Sequence, residues 1–227
     1  MKKMNSFNLK KHVPTKQNSF VYLNALFLLY LLIIGKVDPL TIVTAYFLET
    51  AIVGVVYVFK MYTIISFGNK KEKNPSYSNY SLILFFIVHF SFFIAIQLIF
   101  VFAFLTITDN NIKEAFNILE NIKYVLTYKG ITFVLISITA YNFADYVFNF
   151  IIPKKYETSS LNKIFTEPYI RIFVQQFTVI VSGFFIVFSS GITVVAIILI
   201  IFRTLIEIYF IANPTNNILD GNEKPII

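Results

Sequence analysis

The sequence contains no cysteine among its 227 residues, so disulfide bonds and thiolate metal ligands are excluded. It also contains no tryptophan, a residue that commonly anchors proteins at membrane interfaces. Charged residues make up only 14% of the chain, compared with about 25% in soluble domains. Phosphate-binding loops, G-x-S-x-G and H-E-x-x-H motifs and glycine-rich dinucleotide fingerprints are absent, so the sequence favours no familiar class of soluble enzyme.

Long apolar runs dominate what the sequence does contain. Hydrophobic residues account for 57% of the chain, and the 27 phenylalanines and 14 tyrosines suit a lipid-facing surface. A helix needs about 20 mostly apolar residues to cross a bilayer. The sequence therefore predicts an all-α integral membrane bundle of about six transmembrane helices, at residues 20–36, 39–66, 81–107, 130–152, 168–189 and 192–212.

Local signals set the boundaries of these helices. Pro39 and Pro168 open two of the runs, as suits the first turn of a helix, and the last run stops before Pro214. The first run lacks a small-residue cleavage site and leads directly into the second, so we interpret it as a retained helix rather than a signal peptide. The predicted organisation is a basic cytoplasmic tail, a transmembrane domain and a polar cytoplasmic tail, at residues 1–19, 20–212 and 213–227.

The connector between predicted helices 3 and 4 has an amphipathic pattern. Between residues 111 and 127, apolar residues recur at helical spacing, with charged residues between them. The apolar positions are Ile112, Ala115, Phe116, Leu119, Ile122 and Leu126. The pattern predicts an amphipathic helix on the membrane surface, and a helix that caps the bundle fits it equally well.

The net charge of +7 would suit a nucleic-acid-binding protein, but its distribution argues against nucleic acid as a partner. Lysines concentrate in the short segments between apolar runs, where they orient helices by favouring the cytoplasmic side. We therefore predict a multi-pass protein of the bacterial cytoplasmic (inner) membrane with both termini cytoplasmic. Six spans place twelve lysines on one side, Lys2, Lys3, Lys10, Lys11, Lys16, Lys70, Lys71, Lys73, Lys154, Lys155, Lys163 and Lys224, against Lys36, Lys113, Lys123 and Lys129.

Ionisable and amide side chains recur within the predicted spans, where such groups usually face the bundle interior or a water-filled cavity. Asn142, Asp145 and Asn149 are spaced i, i+3, i+7 and so share one helix face. Lys60 is expected to extend its ammonium to the membrane interface. The candidate binding cluster comprises Glu49, His89, Gln97, Asn142, Asp145, Asn149, Arg171, Gln175, Gln176, Arg203 and Glu207.

These residues support three interpretations of function. Their concentration in the cytoplasmic half favours a cytoplasm-facing cavity that binds or moves a small solute or ion. A metal-binding protein or enzyme would centre on His89 with Asp145, Glu49 or Glu207, and a divalent metal is the one cofactor left open. A structural or partner-binding subunit would use the balanced charges to pack helices. The lipid bilayer is the expected partner, a homodimer or a membrane partner subunit is left open, and an enzymatic role is the less favoured one.

Four short segments carry a resemblance to a known family. They are Tyr46-Phe47-Leu48-Glu49-Thr50 with Gly54 and Lys60-Met61, then Phe85-Phe86-Ile87-Val88-His89-Phe90, Pro168-Tyr169-Ile170-Arg171-Ile172 and Arg203-Thr204-Leu205-Ile206-Glu207. Together they resemble a family of small polytopic bacterial membrane proteins known only as a domain of unknown function. The resemblance covers most of predicted helices 2 to 6.

The resemblance implies that Glu49, Lys60, His89, Arg171 and the Arg203–Glu207 pair belong to the family pattern. It also implies that many relatives carry further histidines, at the positions of Gln97, Asn142 and Gln176 in this sequence. This chain has kept only His89 of that set, so the metal site that the relatives suggest is reduced here to a single histidine.

Overall fold

The computed structural model describes residues 19–68, 79–169, 172–173, 176 and 192–212, and throughout these ranges the regular secondary structure is helical. Within these ranges, seven helices follow one another along the chain. They are α1 (Ser19–Ile33), α2 (Pro39–Phe67), α3 (Asn79–Thr108), α4 (Ile118–Val125), α5 (Ile131–Tyr146), α6 (161–169) and α7 (Ile192–Ala212). A π-helical turn, Val147–Ile151, prolongs α5, and a 3₁₀ turn, Lys155–Glu157, precedes α6.

Helix α2 is the central helix of the bundle. It packs against α3, α5 and α7. In its most apolar stretch 67% of the residues are buried, compared with 28% in the corresponding stretches of α3 and of α5 with its π-helical extension. Pro39 opens the helix after the extended residue Asp38, because a proline at this point sacrifices no helical hydrogen bond. Gly68 ends it, and its N–H donates to the carbonyl oxygen of Ile64 at 2.8 Å.

Close contact between α2 and α3 depends on Gly54. A Cβ atom at this position would lie 2.6 Å from Cε1 of Phe90, which is too short for any real Cβ contact. Glycine therefore lets the phenylalanine ring rest against the backbone of α2, as small residues do at helix crossings in membranes. This contact also fixes the antiparallel register of the two helices.

Two main apolar clusters fill the bundle, one towards each end of the helices. The first lies towards α4 and joins α1, α2, α3, α5 and α7; its most deeply buried members are Leu28, Ile42, Phe102, Val134, Ile138 and Ala196. The second lies at the opposite end, where α2 and α3 meet α6 and the π-helical turn; it contains Met61, Phe86, Phe90, Phe150 and Ile164.

Among the residues that the structure describes, three helices are long and apolar enough to cross a membrane: Pro39–Phe67, Tyr80–Thr108 and Ile131–Ile151. Ser19–Ile33 and Ala196–Leu205 are shorter apolar stretches. Large apolar side chains on these helices are exposed on the outer surface of the bundle, which suits contact with lipid. They include Leu23, Leu84, Val88, Phe133, Ile136 and Leu205.

Most predicted helix boundaries agree with the structure to within a few residues, but two predictions need correction. The fifth helix begins at 161 rather than 168, so Pro168 lies inside it. Proline has no N–H to donate and its ring crowds the preceding turn, so α6 includes Pro168 at the cost of one helical hydrogen bond. The amphipathic connector is helical only over Ile118–Val125, because residues 109–117 form turns and irregular chain. The tails, 1–18 and 213–227, lie outside the described residues.

Candidate functional site

Glu49, Asn142 and Arg203 form a central cluster between α2, α5 and α7. Arg203 Nη2 donates to Glu49 Oε1, and Asn142 Nδ2 donates to the same oxygen at 3.1 Å. The Glu49 side chain is only 1% exposed, so this charge lies inside the bundle. An ion pair so deeply buried needs good geometry and further hydrogen bonds to offset the loss of hydration, and Asn142 supplies one of them.

Aromatic rings enclose the arginine of the central cluster. Its guanidinium carbon lies 4.7 Å from the centroid of the Tyr46 ring and 5.8 Å from that of Tyr141. A guanidinium over the face of a tyrosine is attracted by the negative π-surface. Arg203 is thus held by a carboxylate and by two rings, all contributed by other helices.

Lys60, Asp145 and Asn149 form an end cluster, about three turns beyond Glu49 along α2. Lys60 Nζ lies 3.5 Å from Asp145 Oδ2, and Asn149 Nδ2 donates to Asp145 Oδ1 at 3.0 Å. The ammonium also lies 4.7 Å from the Tyr57 ring centroid and 5.7 Å from that of Phe150. Its side chain is 11% exposed, so the expected extension of Lys60 to the interface is wrong: the ammonium bonds across the bundle instead.

The π-helical turn shapes the end cluster. Asn149 lies within Val147–Ile151, where the N–H of Ile152 bonds to the carbonyl oxygen of Val147 rather than to that of residue 148. Such a turn inserts one residue into the helical ladder and is frequent at functional sites. It leaves Asn149 in hydrogen-bond contact with Asp145 while the helix approaches its end.

Two further contacts border the end cluster and were not predicted from the sequence. Tyr57 Oη donates to Glu167 Oε2 at 3.1 Å, which joins α2 to α6. Thr63 Oγ1 and Tyr146 Oη lie 2.8 Å apart, which joins α2 to α5. Glu167 directly precedes Pro168 in the sequence. Because the sequence analysis started the helix at Pro168, Glu167 was left outside the predicted bundle.

His89 lies in an aromatic cluster between α3 and α6. Its Nδ1 is 2.9 Å from the Tyr169 hydroxyl, its ring stacks on Phe85 at a centroid distance of 5.0 Å, and Phe93 meets it edge-on at 5.0 Å. Within the described ranges, no three His, Cys, Asp or Glu side chains are grouped so that they could hold a metal ion. The described carboxylates proposed to accompany His89 have other contacts: Glu49 bonds to Arg203, and Asp145 bonds to Lys60.

The remaining predicted cluster members are distributed as follows. Gln97 is buried on α3, 1% exposed, and Gln176 is helical and half-buried. Arg171 and Gln175 lie outside the described residues, and Glu207 is described only as part of the α7 backbone. Among the predicted residues of α5 and its π-helical extension, Asn142 and Asp145 contact Glu49 and Lys60 of α2, and Asn149 bonds to Asp145.

A separate polar cluster lies at the opposite end of the bundle, around Asp109. Tyr128 and Tyr124 donate their hydroxyls to Asp109 Oδ2 at 2.7 and 3.1 Å, and the Asn111 N–H donates to Oδ1 at 2.9 Å. Burial opposes ionisation of this carboxylate, but the hydrogen bonds from Asn111, Tyr128 and Tyr124 together hold its pKa below the usual range. Burial and the bond to Asp109 raise the pKa of Tyr128.

Comparison with protein families matched residues 8–219 to the model of a family of unknown function, DUF6498. The chain belongs to this family. Comparisons with curated proteins and with solved structures gave no match. The match to DUF6498 covers the residues of the central cluster, the end cluster and His89.

Proposed function

We propose that this DUF6498 protein is a six-helix protein of the cytoplasmic membrane whose end cluster borders a polar cavity open to the cytoplasm. The cavity binds or moves a small solute or ion. One observation carries the proposal: Asp145 lies within a helix apolar enough to span the membrane, yet its side chain is 32% exposed. An ionisable group within a membrane span is costly unless it is paired or faces the bundle interior or a water-filled cavity, so the exposed part of this carboxylate is expected to face water.

Groups from several elements support a cavity at this end of the bundle. Lys60 comes from α2, Asn149 from the π-helical turn and Glu167 from α6, and each is in polar contact with another helix or turn. Together they offer cationic, amide and anionic groups around one end of the bundle. Such a mixture can replace the hydration of a small polar ligand.

The lysine distribution supports a cytoplasmic location for the cavity. The chain segments at the end-cluster side carry Lys154, Lys155 and Lys163 around the 3₁₀ turn, and lysines favour the cytoplasmic face. Three helices in the described part of the chain are long and apolar enough for a span, and the predicted spans at 20–36, 168–189 and 192–212 would bring the number to six. An even number of spans places both termini on the same side.

Cysteine accessibility tests the cavity directly, because the chain contains no cysteine of its own. Asp145→Cys would be labelled in oriented vesicles with a small charged methanethiosulfonate. Asn149→Cys is the second position and leaves the Lys60–Asp145 pair in place. Phe143→Cys is the matched control, because Phe143 lies two residues from Asp145 on the same helix and its side chain is more exposed, at 57%.

The cavity predicts labelling of the first two variants from the cytoplasmic face and none of the control, since thiols react as thiolates and therefore need water. Unlabelled cysteines at both 145 and 149 would overturn the proposal. Labelling from the outer face alone would keep the cavity and reverse the orientation.

A thermal-unfolding screen tests the ligand class. A ligand that binds only the folded state stabilises it by about 2.7 kcal/mol at a hundred times its Kd. Monovalent and divalent cations and small anions would be compared on the parent protein and on His89→Ala. A divalent metal that stabilises the parent but not the variant would favour the alternative, a metal-binding protein or enzyme centred on His89.

A second candidate function is that of a structural or partner-binding membrane subunit. The central cluster favours it, because Glu49 and Arg203 are buried against each other as packing groups would be. Exchanging the charges of the end cluster, with Lys60→Asp and Asp145→Lys together, discriminates between the two functions. Recovery of folding and of partner co-purification by the exchanged pair would favour a packing role, whereas recovery of folding with loss of ligand-induced stabilisation would favour the cavity.

A further inference from the structure

A layer of polar side chains lies between the deeply buried parts of the two main apolar clusters, which meet at the partly buried Ile94. On α2, Glu49 and Thr50 lie between Phe47, the last buried residue of one cluster, and Val53, the first buried residue of the other. Gln97 occupies the same place on α3, and Asn142 does so on α5. Arg203 adds the contribution of α7, one turn beyond Ile200. The layer therefore crosses four helices at about the middle of the bundle.

The contact between Gly54 and Phe90 fixes the level of Gln97 relative to α2. Gln97 lies seven residues beyond Phe90, or about 10 Å along α3 at 1.5 Å per residue. Thr50 and Glu49 lie four and five residues before Gly54, or about 6–8 Å along the antiparallel α2. Along the helix axes, Gln97 therefore lies at the level of Glu49 to within about one helical turn.

Gln97 differs from the other members of the layer in its hydrogen bonding. Its side chain is 1% exposed, and within the described part of the chain neither Nε2 nor Oε1 has a hydrogen-bond partner. By contrast, Asn142 donates to Glu49 and to the carbonyl oxygen of Ile138. Buried amides are nearly always hydrogen-bonded, and the requirement is stricter in a membrane, where lipid offers no partner.

We infer that Gln97 is the recognition group of a binding site for a small uncharged solute that carries a hydrogen-bond donor beside an acceptor. This inference rests on the proposed cavity and extends it from the end cluster to the polar layer. A primary amide presents two donors and two acceptor lone pairs, so a carboxamide, a urea or an undissociated carboxylic acid can pair with both atoms at once.

The charges of the layer argue for an uncharged ligand. Glu49 and Arg203 bond to each other, so the central cluster adds no net charge beside Gln97. An ion brought to this depth would lose its hydration without a counter-charge of its own, which is the costliest kind of burial. A neutral solute loses only hydrogen bonds with water, and the Gln97 amide replaces them.

Cysteine substitution tests whether the site is reached from the cavity. Gln97→Cys would be compared with Leu98→Cys, because Leu98 is the next residue, equally deep and also buried, but belongs to an apolar cluster. We expect methyl methanethiosulfonate, an uncharged reagent, to label Gln97→Cys and to leave Leu98→Cys unlabelled. Labelling of Asp145→Cys without labelling of Gln97→Cys would overturn the inference and leave the cavity standing, whereas loss of both would overturn both.

Thermal unfolding of the intact protein tests the ligand class, with acetamide or urea added as the probe at a concentration that does not denature it. Gln97→Met is the matched variant, because methionine has a similar volume and no amide. We expect the variant to unfold at a higher temperature than the parent in the absence of probe, and acetamide to raise the Tm of the parent alone. A Gln97→Met variant less stable than the parent would show that the amide has a partner within the protein. If either probe shifted the Tm of the parent and of the variant equally, recognition by Gln97 would be excluded. Either result overturns the inference.

Discussion

Glu49 and Arg203 are 154 residues apart in the chain, yet their side chains form an ion pair in the middle of the bundle. The carboxylate also accepts a hydrogen bond from Asn142, so three helices meet at one buried oxygen. Such a pair ties α2 to α7 through charge rather than through apolar packing. Its contribution can be measured, because removal of one partner leaves the other inside the bundle without its counter-charge.

Removal of either partner of this pair is expected to destabilise the protein strongly. Glu49→Ala and Arg203→Ala should each cost about 3–5 kcal/mol, since each leaves a buried charge without its counter-charge. The double variant Glu49→Met with Arg203→Met should recover much of that loss, because it removes both charges. Chemical or thermal unfolding in detergent gives these free energies.

The exposed pair between Lys154 and Glu157 is the control for these variants. Its atoms are 4.0 Å apart and both side chains are largely exposed, so Lys154→Ala should change stability by less than about 1 kcal/mol. Single variants of the central cluster that cost no more than Lys154→Ala would contradict the importance of the buried pair.

The contact between Gly54 and Phe90 gives a second prediction. Gly54→Ala should destabilise the protein by about 1–3 kcal/mol, because the added Cβ would meet the Phe90 ring and force α2 and α3 apart. Combining it with Phe90→Leu should recover part of the loss. Ala51→Val, on the exposed side of α2, adds atoms outside the packed bundle, and should leave the unfolding midpoint nearly unchanged. Equal effects of Gly54→Ala and Ala51→Val would contradict close packing at Gly54.

Local patterns in the sequence predicted the positions of the helices well, but not which residues their charged side chains contact. Apolar runs and prolines placed α2, α3, α5 and α7 to within a few residues, because bilayer thickness dictates length and proline dictates the first turn. The same rule misplaced the start of α6, since Pro168 lies inside that helix. A proline marks a helix start only when no earlier turn can form.

The partners of the charged residues depend on how the helices are arranged around one another. The spacing of residues along a single helix gives no information about that arrangement. Arg203 and Glu207 are spaced i, i+4 and so share one face of α7, whereas the described partner of Arg203 is Glu49 on another helix. Spacing did predict that Asn142, Asp145 and Asn149 share a face, because helical periodicity alone determines it. The hydrogen bond between Tyr57 and Glu167 was not predicted, because a tyrosine within an apolar run does not stand out as a polar residue.

The hydrogen bond between His89 and Tyr169 gives a third prediction. Tyr169→Phe should cost about 0.5–1.5 kcal/mol, the usual contribution of one hydrogen bond. In a double-mutant cycle with His89→Ala the two changes should not be additive, since each removes the same contact. Tyr80→Phe, an exposed tyrosine on the same helix as His89, should add to His89→Ala within about 0.3–0.5 kcal/mol. Additive effects of Tyr169→Phe and His89→Ala would contradict the contact.

The Asp109 cluster predicts that stability falls at both ends of the pH range. The hydrogen bonds hold the folded pKa of Asp109 below its ordinary value of 3.8, so its contribution is present above that pH and is lost as the pH falls further. Burial and the bond to Asp109 raise the folded pKa of Tyr128 above its ordinary value of 10.0, so that contribution is present below pH 10 and is lost as the pH rises beyond it. Asp109→Asn should therefore lower the Tm at neutral pH and flatten both limbs of the curve of Tm against pH, whereas Glu120→Gln, at an exposed carboxylate on α4, should leave the curve unchanged. A curve for Asp109→Asn that runs parallel to that of the parent would show that the cluster makes no pH-dependent contribution to holding the connector against the bundle.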